Sequence, residues 1–117
     1  MQDYRGLLVW KKSHDFTILI YKSIAQFPKE ETYNLVSQLK RASSSIPTNI
    51  AEGTGLFTQK DFASFLQIAL GSSHEVEYLL LLSKDLGFMT IELFEVLNKE
   101  ISQIKAMLIA LIQKVRK

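Results

Sequence analysis

Between residues 94 and 115 the apolar side chains Phe94, Leu97, Ile101, Ile104, Leu108, Leu111 and Val115 recur at alternating intervals of three and four. On a helix that spacing lays them along one narrow seam. Such a seam is buried only when other helices pack nearly parallel to it. The chain must therefore supply partner helices, and its punctuation says where they lie. It has only two prolines and five glycines in 117 residues.

Four helices are predicted, at about residues 9–26, 31–53, 59–86 and 91–115, in one domain spanning 1–117. Trp10, Thr17, Ile20, Ile24 and Phe27 make the stripe of the first. Phe27-Pro28 ends it, because a residue before proline avoids helical angles. Glu30 or Glu31 opens the second, where negative charge suits a helix N-terminus. Its stripe is Leu35, Leu39, Ala42, Ile46 and Ile50, with Pro47 interrupting. A proline there clashes with the carbonyl four residues back and removes one hydrogen bond, about 3 kcal/mol. The stripe continues beyond it, so a kink is expected rather than a break, with Gly53 and Gly55 ending the helix. Thr58 with Asp61 reads as a capping box for the third helix, Gly87 as its C′ residue, and Thr90 as the cap of the fourth. Short loops between long helices imply antiparallel neighbours, hence an all-α, up-and-down four-helix bundle. Residues 2–8 are expected to form an extended arm.

The third helix has more apolar surface than one bundle uses. Phe62, Leu66, Ala69, Val76 and Leu80 make one seam; Phe65, Ile68, Leu79, Leu82 and Leu86 make a second. A helix apolar most of the way round is buried most of the way round. Phe65, Ile68, Leu79 and Leu82 are thus candidate oligomer contacts.

Composition excludes several kinds of chemistry. There is no cysteine, so neither disulfides nor thiolate metal sites. The two histidines, His14 and His74, do not follow a glutamate by three, as bundle di-iron sites require. No metal or cofactor is expected. The run Ser43-Ser44-Ser45 sits in no Gly-x-Ser-x-Gly elbow, and there is no Walker loop. Glu52, Glu75 and Glu77 read first as acceptors for Arg41, Gln38, Asn49 or backbone, and only then as an acid/base pair; Arg41 reads either as a phosphate contact or as a buried fork paired to Glu75. No apolar run nears the roughly 20 residues of a membrane span, and the start does not read as a signal peptide. A cytoplasmic location is expected.

The formal charge is +2. Arg5, Lys11 and Lys12 face only Asp3 within the first twelve residues. Lys105, Lys114, Arg116 and Lys117 have no acid in residues 105–117. A basic end on an elongated bundle is expected. Trp10 and Tyr4 beside Lys11 and Lys12 could stack on bases, although a core anchor suits Trp10 better.

One stretch, residues 38–53, is unlike an ordinary core helix: QLKRASSSIPTNIAEG. It joins Gln38, the pair Lys40 and Arg41, three serines, Pro47, Asn49, Glu52 and Gly53. It resembles the signature of the 23S rRNA intervening-sequence proteins. Leu8-Val9-Trp10-Lys11-Lys12, Phe27-Pro28-Lys29-Glu30-Glu31, Phe65-Leu66-Gln67-Ile68-Ala69, and Gly71-Ser72 with Glu75 and Glu77 resemble other parts of that family. Asn34 stands where a glycine is frequent, and Leu56 where a basic residue often follows the glycine. The resemblance implies four-helix bundles arranged as a homopentamer around a channel. It also implies an association with ribosomal RNA genes or, in a related branch, with the accessory protein of diversity-generating retroelements. It supplies no catalytic residue.

Three functions follow, in order of preference: an oligomeric nucleic-acid-binding scaffold, a protein–protein adaptor, and an enzyme using Glu52 and Glu75. For the first, Arg5, Lys11, Lys12, Lys40 and Arg41 are the candidate contacts to an RNA or DNA backbone.

Overall fold

The structure, a computed structural model, describes residues 2–117. Four helices carry the fold: α1 (Leu8–Ser23), α2 (Leu35–Thr54), α3 (Gln59–Asp85) and α4 (Ile91–Val115). Single 3-10 turns occupy Tyr4–Gly6 and Lys29–Glu31; the first replaces the extended arm expected over residues 2–8, because the Asp3 carboxylate accepts from the Arg5 N–H and starts a turn. Among the described residues there is no strand. Each helix packs on its neighbours in the chain, α4 closes on α1, and the diagonal pairs do not meet. This is an all-α, up-and-down four-helix bundle of 43 × 23 × 19 Å.

The α4 seam lies where its spacing requires. Leu97, Ile101, Ile104 and Leu108 are fully buried, against Ile20, Leu39, Ile46, Ile50, Leu66 and Leu80 of the same core. Each such side chain contributes about 1.5–3 kcal/mol by leaving water. Phe94 and Leu111 sit half-buried at the edges. Thr58 and Thr90 cap α3 and α4, accepting from the N–H of Asp61 and Leu93, both at 3.1 Å.

The structure departs from the sequence reading in α1. Its inner face is Val9, Ser13, Phe16 and Ile20, about one residue round from the expected stripe; Trp10 and Thr17 lie at the edge. The helix ends at Ser23 rather than residue 26, and a tight turn carries Ile24 and Phe27 into the core. Likewise α2 begins at Leu35, not residue 31. Glu31 still serves that N-terminus, from outside the helix: its carboxylate accepts from the Leu35 N–H at 3.4 Å and from the Asn34 amide at 3.1 Å. Asn34 has φ −126°, so it is not the left-handed position at which glycine is favoured. Gln38 donates to Asn34 at 3.2 Å and belongs to the same cap.

Helix α2 is continuous across Pro47, which is buried. The proline leaves the Ser43 carbonyl without its helical donor. The Thr17 hydroxyl, arriving from α1, lies 3.1 Å from that oxygen and 2.8 Å from the Ser13 carbonyl. A helix-breaking residue is thus accommodated by a neighbour's side chain. Thr17→Val keeps the shape and strands the carbonyl, a loss of about 1–3 kcal/mol. In a Pro47→Ala background the restored N–H takes over, so the same substitution should cost well under half as much. A urea-denaturation cycle over the four variants checks this; equal losses in both backgrounds would disprove the coupling.

The buried hydroxyls of Ser13, Ser43, Ser73 and Ser83 each donate to a carbonyl three or four residues back. At the end of α3, Gly87 adopts φ +78°, which a side chain would oppose. The turn it makes lets the Phe88 N–H reach the Ser83 carbonyl at 2.9 Å, and packs Phe88 on Phe27.

In α3 one expected outward residue proves to be inward. Leu79 is only 4% exposed and belongs to the bundle core. Two adjacent leucines, Leu79 and Leu80, both fit between neighbours because α3 is flanked by α2 and α4. Leu82 and Phe65 are half-buried, and Ile68 is exposed. The outward stripe of α3 is Ile68, Gly71, Tyr78 and Leu81.

Candidate functional site

The antiparallel topology gathers the start of α1, the α2–α3 turn and the end of α4 at one end of the bundle. The Gln2 N–H bonds the Thr54 carbonyl at 3.1 Å there, and the Arg116 guanidinium meets the Gln67 side-chain amide. This end carries Lys60, Lys114, Arg116 and Lys117, all without an acidic partner among the described residues. Glu52 and Asp61 are its unpaired acids. The opposite end carries Glu30, Glu31, Asp85, Glu92 and Glu95 against Lys22, Lys29 and Lys84. Charge is therefore segregated along the long axis.

The cations singled out in the sequence are mostly engaged. Arg5 forks onto Asp3 at 3.0 and 3.2 Å. Lys11 reaches Asp15, one helical turn on, at 3.1 Å. Lys12 crosses from α1 to Glu100 of α4 at 2.6 Å, and Arg41 crosses from α2 to Glu75 of α3 at 2.6 Å. Lys40 lies over the Tyr21 ring, 5.0 Å from its centre. The Arg41–Glu75 pair is exposed rather than a buried fork. The Arg5 side chain and N–H hold the Asp3 carboxyl below the ordinary carboxylate range, and the same pairing raises Arg5. The sign follows: this pairing is intact above the usual aspartate pKa and dissolves only as pH falls through the depressed value.

Sequence reasoning missed Phe57. It sits in the α2–α3 turn at the basic end and is 89% exposed. Tyr33, equally outside any stripe, is 95% exposed in the turn at the acidic end. An apolar ring in a turn, off every helical stripe, was the available signal for both.

The signature residues divide between two seams. On the α2–α3 seam, Asn49 donates to the Ser45 carbonyl and hydroxyl at 2.8 and 2.9 Å, and the Ser45 and Ser72 hydroxyls meet at 2.9 Å. Below them Gly53 lies so close to α3 that a β-carbon would stand 2.9 Å from Phe62 and 3.0 Å from Phe65. Its role is close approach; the helix runs on to Thr54. Gly71 is different, since a β-carbon there meets nothing within 4 Å. It flattens the floor of an apolar groove of about 430 Å³ between α3 and α4, with Leu70 and Ile109. Trp10, Pro47 and Glu52 meet in another groove, between α1 and α2.

Neither histidine joins a metal-binding constellation. His14 stacks on Trp10. His74 lies beside Glu77, whose carboxylate is held by Lys105 at 3.0 and 3.1 Å. Among the described residues no three His, Asp or Glu side chains converge as a metal would need. No helix there is long and apolar enough to cross a membrane.

The profile of the 23S rRNA-intervening sequence proteins matches residues 5–110. The chain belongs to that family. A solved member of the S23 ribosomal protein family, a protein of unknown function from Bacteroides thetaiotaomicron VPI-5482, superposes with a TM-score of 0.81 at 31% identity. The match covers 91% of this chain and 96% of the other. No curated protein matches. The region shared with the 23S rRNA-intervening sequence family contains both signature seams. The cations Lys114, Arg116 and Lys117 lie just beyond it, so the strongest part of this basic end is outside the family match.

Proposed function

We propose that this family member is a non-catalytic scaffold, assembled as a homopentamer, that holds nucleic acid, RNA foremost, by its backbone. The segregation of unpaired cations to one end of the bundle carries this reading. Lys60, Lys114, Arg116 and Lys117 are the main phosphate contacts. Among the cations of the arm, α1 and α2, half-buried Lys40 has no carboxylate partner among the described residues and lies over the Tyr21 ring, while Arg5 and Lys11 carry counter-charges that cancel much of their pull. Lys12 and Arg41 tie helices together. Phe57 supplies a face on which an unpaired base can stack.

The outward α3 stripe of Ile68, Tyr78 and Leu81, with half-buried Phe65 and Leu82 beside it, supports self-assembly. Sedimentation equilibrium at micromolar concentration should find five copies, and Ile68→Glu should release folded monomers. A monomeric native chain would sink the ring.

Binding is expected to ignore sequence and to weaken steeply with salt, roughly one power of concentration per phosphate neutralised. Titrations of a structured ribosomal RNA fragment and of unrelated single-stranded and duplex DNA at several salt concentrations test it. Phe57→Ala should weaken single-strand binding, whereas Tyr33→Ala, at the acidic end, should not. If none of these nucleic acids binds at low salt, the adaptor reading replaces this one. The internal pairing of Arg5, Lys11, Lys12 and Arg41 favours that second reading. Neighbouring genes distinguish a ribosomal from a retroelement setting.

A further inference from the structure

The groove between α1 and α2 has about 400 Å³ of space and two chemically distinct walls. On one side an aromatic ladder runs along the arm and α1. The Tyr4 ring meets Trp10 edge-on at 4.8 Å, and Trp10 stacks on His14 at 4.9 Å, the planes 9° apart. On the other side Ser44, Thr48 and Glu52 follow one another at intervals of four, so α2 presents two hydroxyls and a carboxylate in a row. Pro47 and Ala51 leave the groove open at its base.

The Glu52 carboxylate has no hydrogen bond or ion pair among the described residues, and no lysine or arginine lines the groove. The other acids near α1 are satisfied. Arg5 shows what this chemistry accepts: its guanidinium lies over Tyr4 at 5.6 Å, yet its charge is taken by Asp3.

We propose that this groove binds an arginine side chain presented by a partner protein. A planar guanidinium stacks on aromatic faces and forks onto a carboxylate, two demands that a lysine ammonium meets less well. The wall of Ser44 and Thr48 accepts the remaining N–H groups or the backbone that delivers the arginine. A phosphate-bearing ligand is disfavoured, because Glu52 repels it. The inference stands apart from nucleic-acid binding, which uses the cations at the end of the bundle, and it gives Trp10, Pro47 and Glu52 a shared purpose.

Trp10 is the only tryptophan of the chain, so its emission reports this groove directly. The full chain is titrated with acetyl-Gly-Arg-Gly-amide and with the same peptide carrying citrulline or lysine, and with adenosine monophosphate. The expected result is a saturable emission change with the arginine peptide, about tenfold weaker with citrulline and several-fold weaker with lysine. Glu52→Gln, at an exposed and unpaired position, should keep the helical circular-dichroism spectrum and abolish the preference for arginine over citrulline. The proposal is overturned by an absence of saturation, by equal affinity for arginine and citrulline, or by unchanged arginine affinity in Glu52→Gln. Lysine binding as tight as arginine would also overturn it, showing simple charge attraction, as would tighter binding of the nucleotide.

Discussion

Gly53→Val should destabilise the bundle by about 3 kcal/mol, the upper end of what overpacking costs. The first added carbon already falls 2.9 Å from the Phe62 ring and 3.0 Å from the β-carbon of Phe65. A ring can swing; a β-carbon moves only with its backbone. The two methyl groups of valine then need space at a seam where α2 and α3 are in contact. The melting temperature should fall by about 10 °C for a chain this long. Gly71→Ala is the control. Within one chain its site is open, so alanine's helix preference should raise the stability of the dissociated monomer by about 1 kcal/mol. A native-like melting temperature for Gly53→Val would show that the seam yields and that Gly53 is not there for close approach.

Replacing Lys114, Arg116 and Lys117 together by glutamine should reduce the salt slope of nucleic-acid binding by about three per chain engaged, roughly one for each phosphate left without its cation. At moderate salt the affinity should drop by more than a factor of about 100. Stability should barely change, because these are exposed residues at the end of α4. The opposite pattern is expected for Lys12→Gln. That lysine is half-buried against Glu100, so its removal leaves a carboxylate unpaired between α1 and α4. Stability should fall while the salt slope stays the same. Unfolding curves and filter-binding titrations on the same preparations separate the two. An unaltered slope in the triple variant would move the phosphate-binding surface elsewhere.

The sequence carried the architecture because helix periodicity is a local property. The α4 seam, the caps at Thr58 and Thr90 and the stop at Gly87 all depend on residues within a turn or two of one another. In the α1 stripe Ile20, Ile24 and Phe27 are buried as their spacing requires, and only the first half, Trp10 and Thr17, is off by about one residue. Tryptophan is amphipathic and sits well at an edge, while buried Ser13 hid its polarity by bonding the Trp10 carbonyl.

The candidate site was less legible, for a related reason. Which cation meets which acid depends on how one helix is set against the next, and no spacing records that. Lys12 with Glu100 and Lys105 with Glu77 are separated by 88 and 28 positions. Arg41 does meet Glu75, the partner the sequence offers it, but at the surface rather than as a buried fork. Phe57 escaped notice because a turn residue has no periodicity to betray it. Leu79 was assigned outward because the two seams of α3 lie side by side, and only the placement of α2 and α4 decides between them.

The segregated ends are 43 Å apart along the bundle, several times the roughly 8 Å over which charge is felt at physiological ionic strength. Each end is thus electrically blind to the other, and the isoelectric point near 8.9 describes neither. At that pH a chain of zero net charge still offers a cationic tip to one surface and an anionic tip to another. Such a molecule is held by cation- and anion-exchange resins alike at low salt, in opposite orientations.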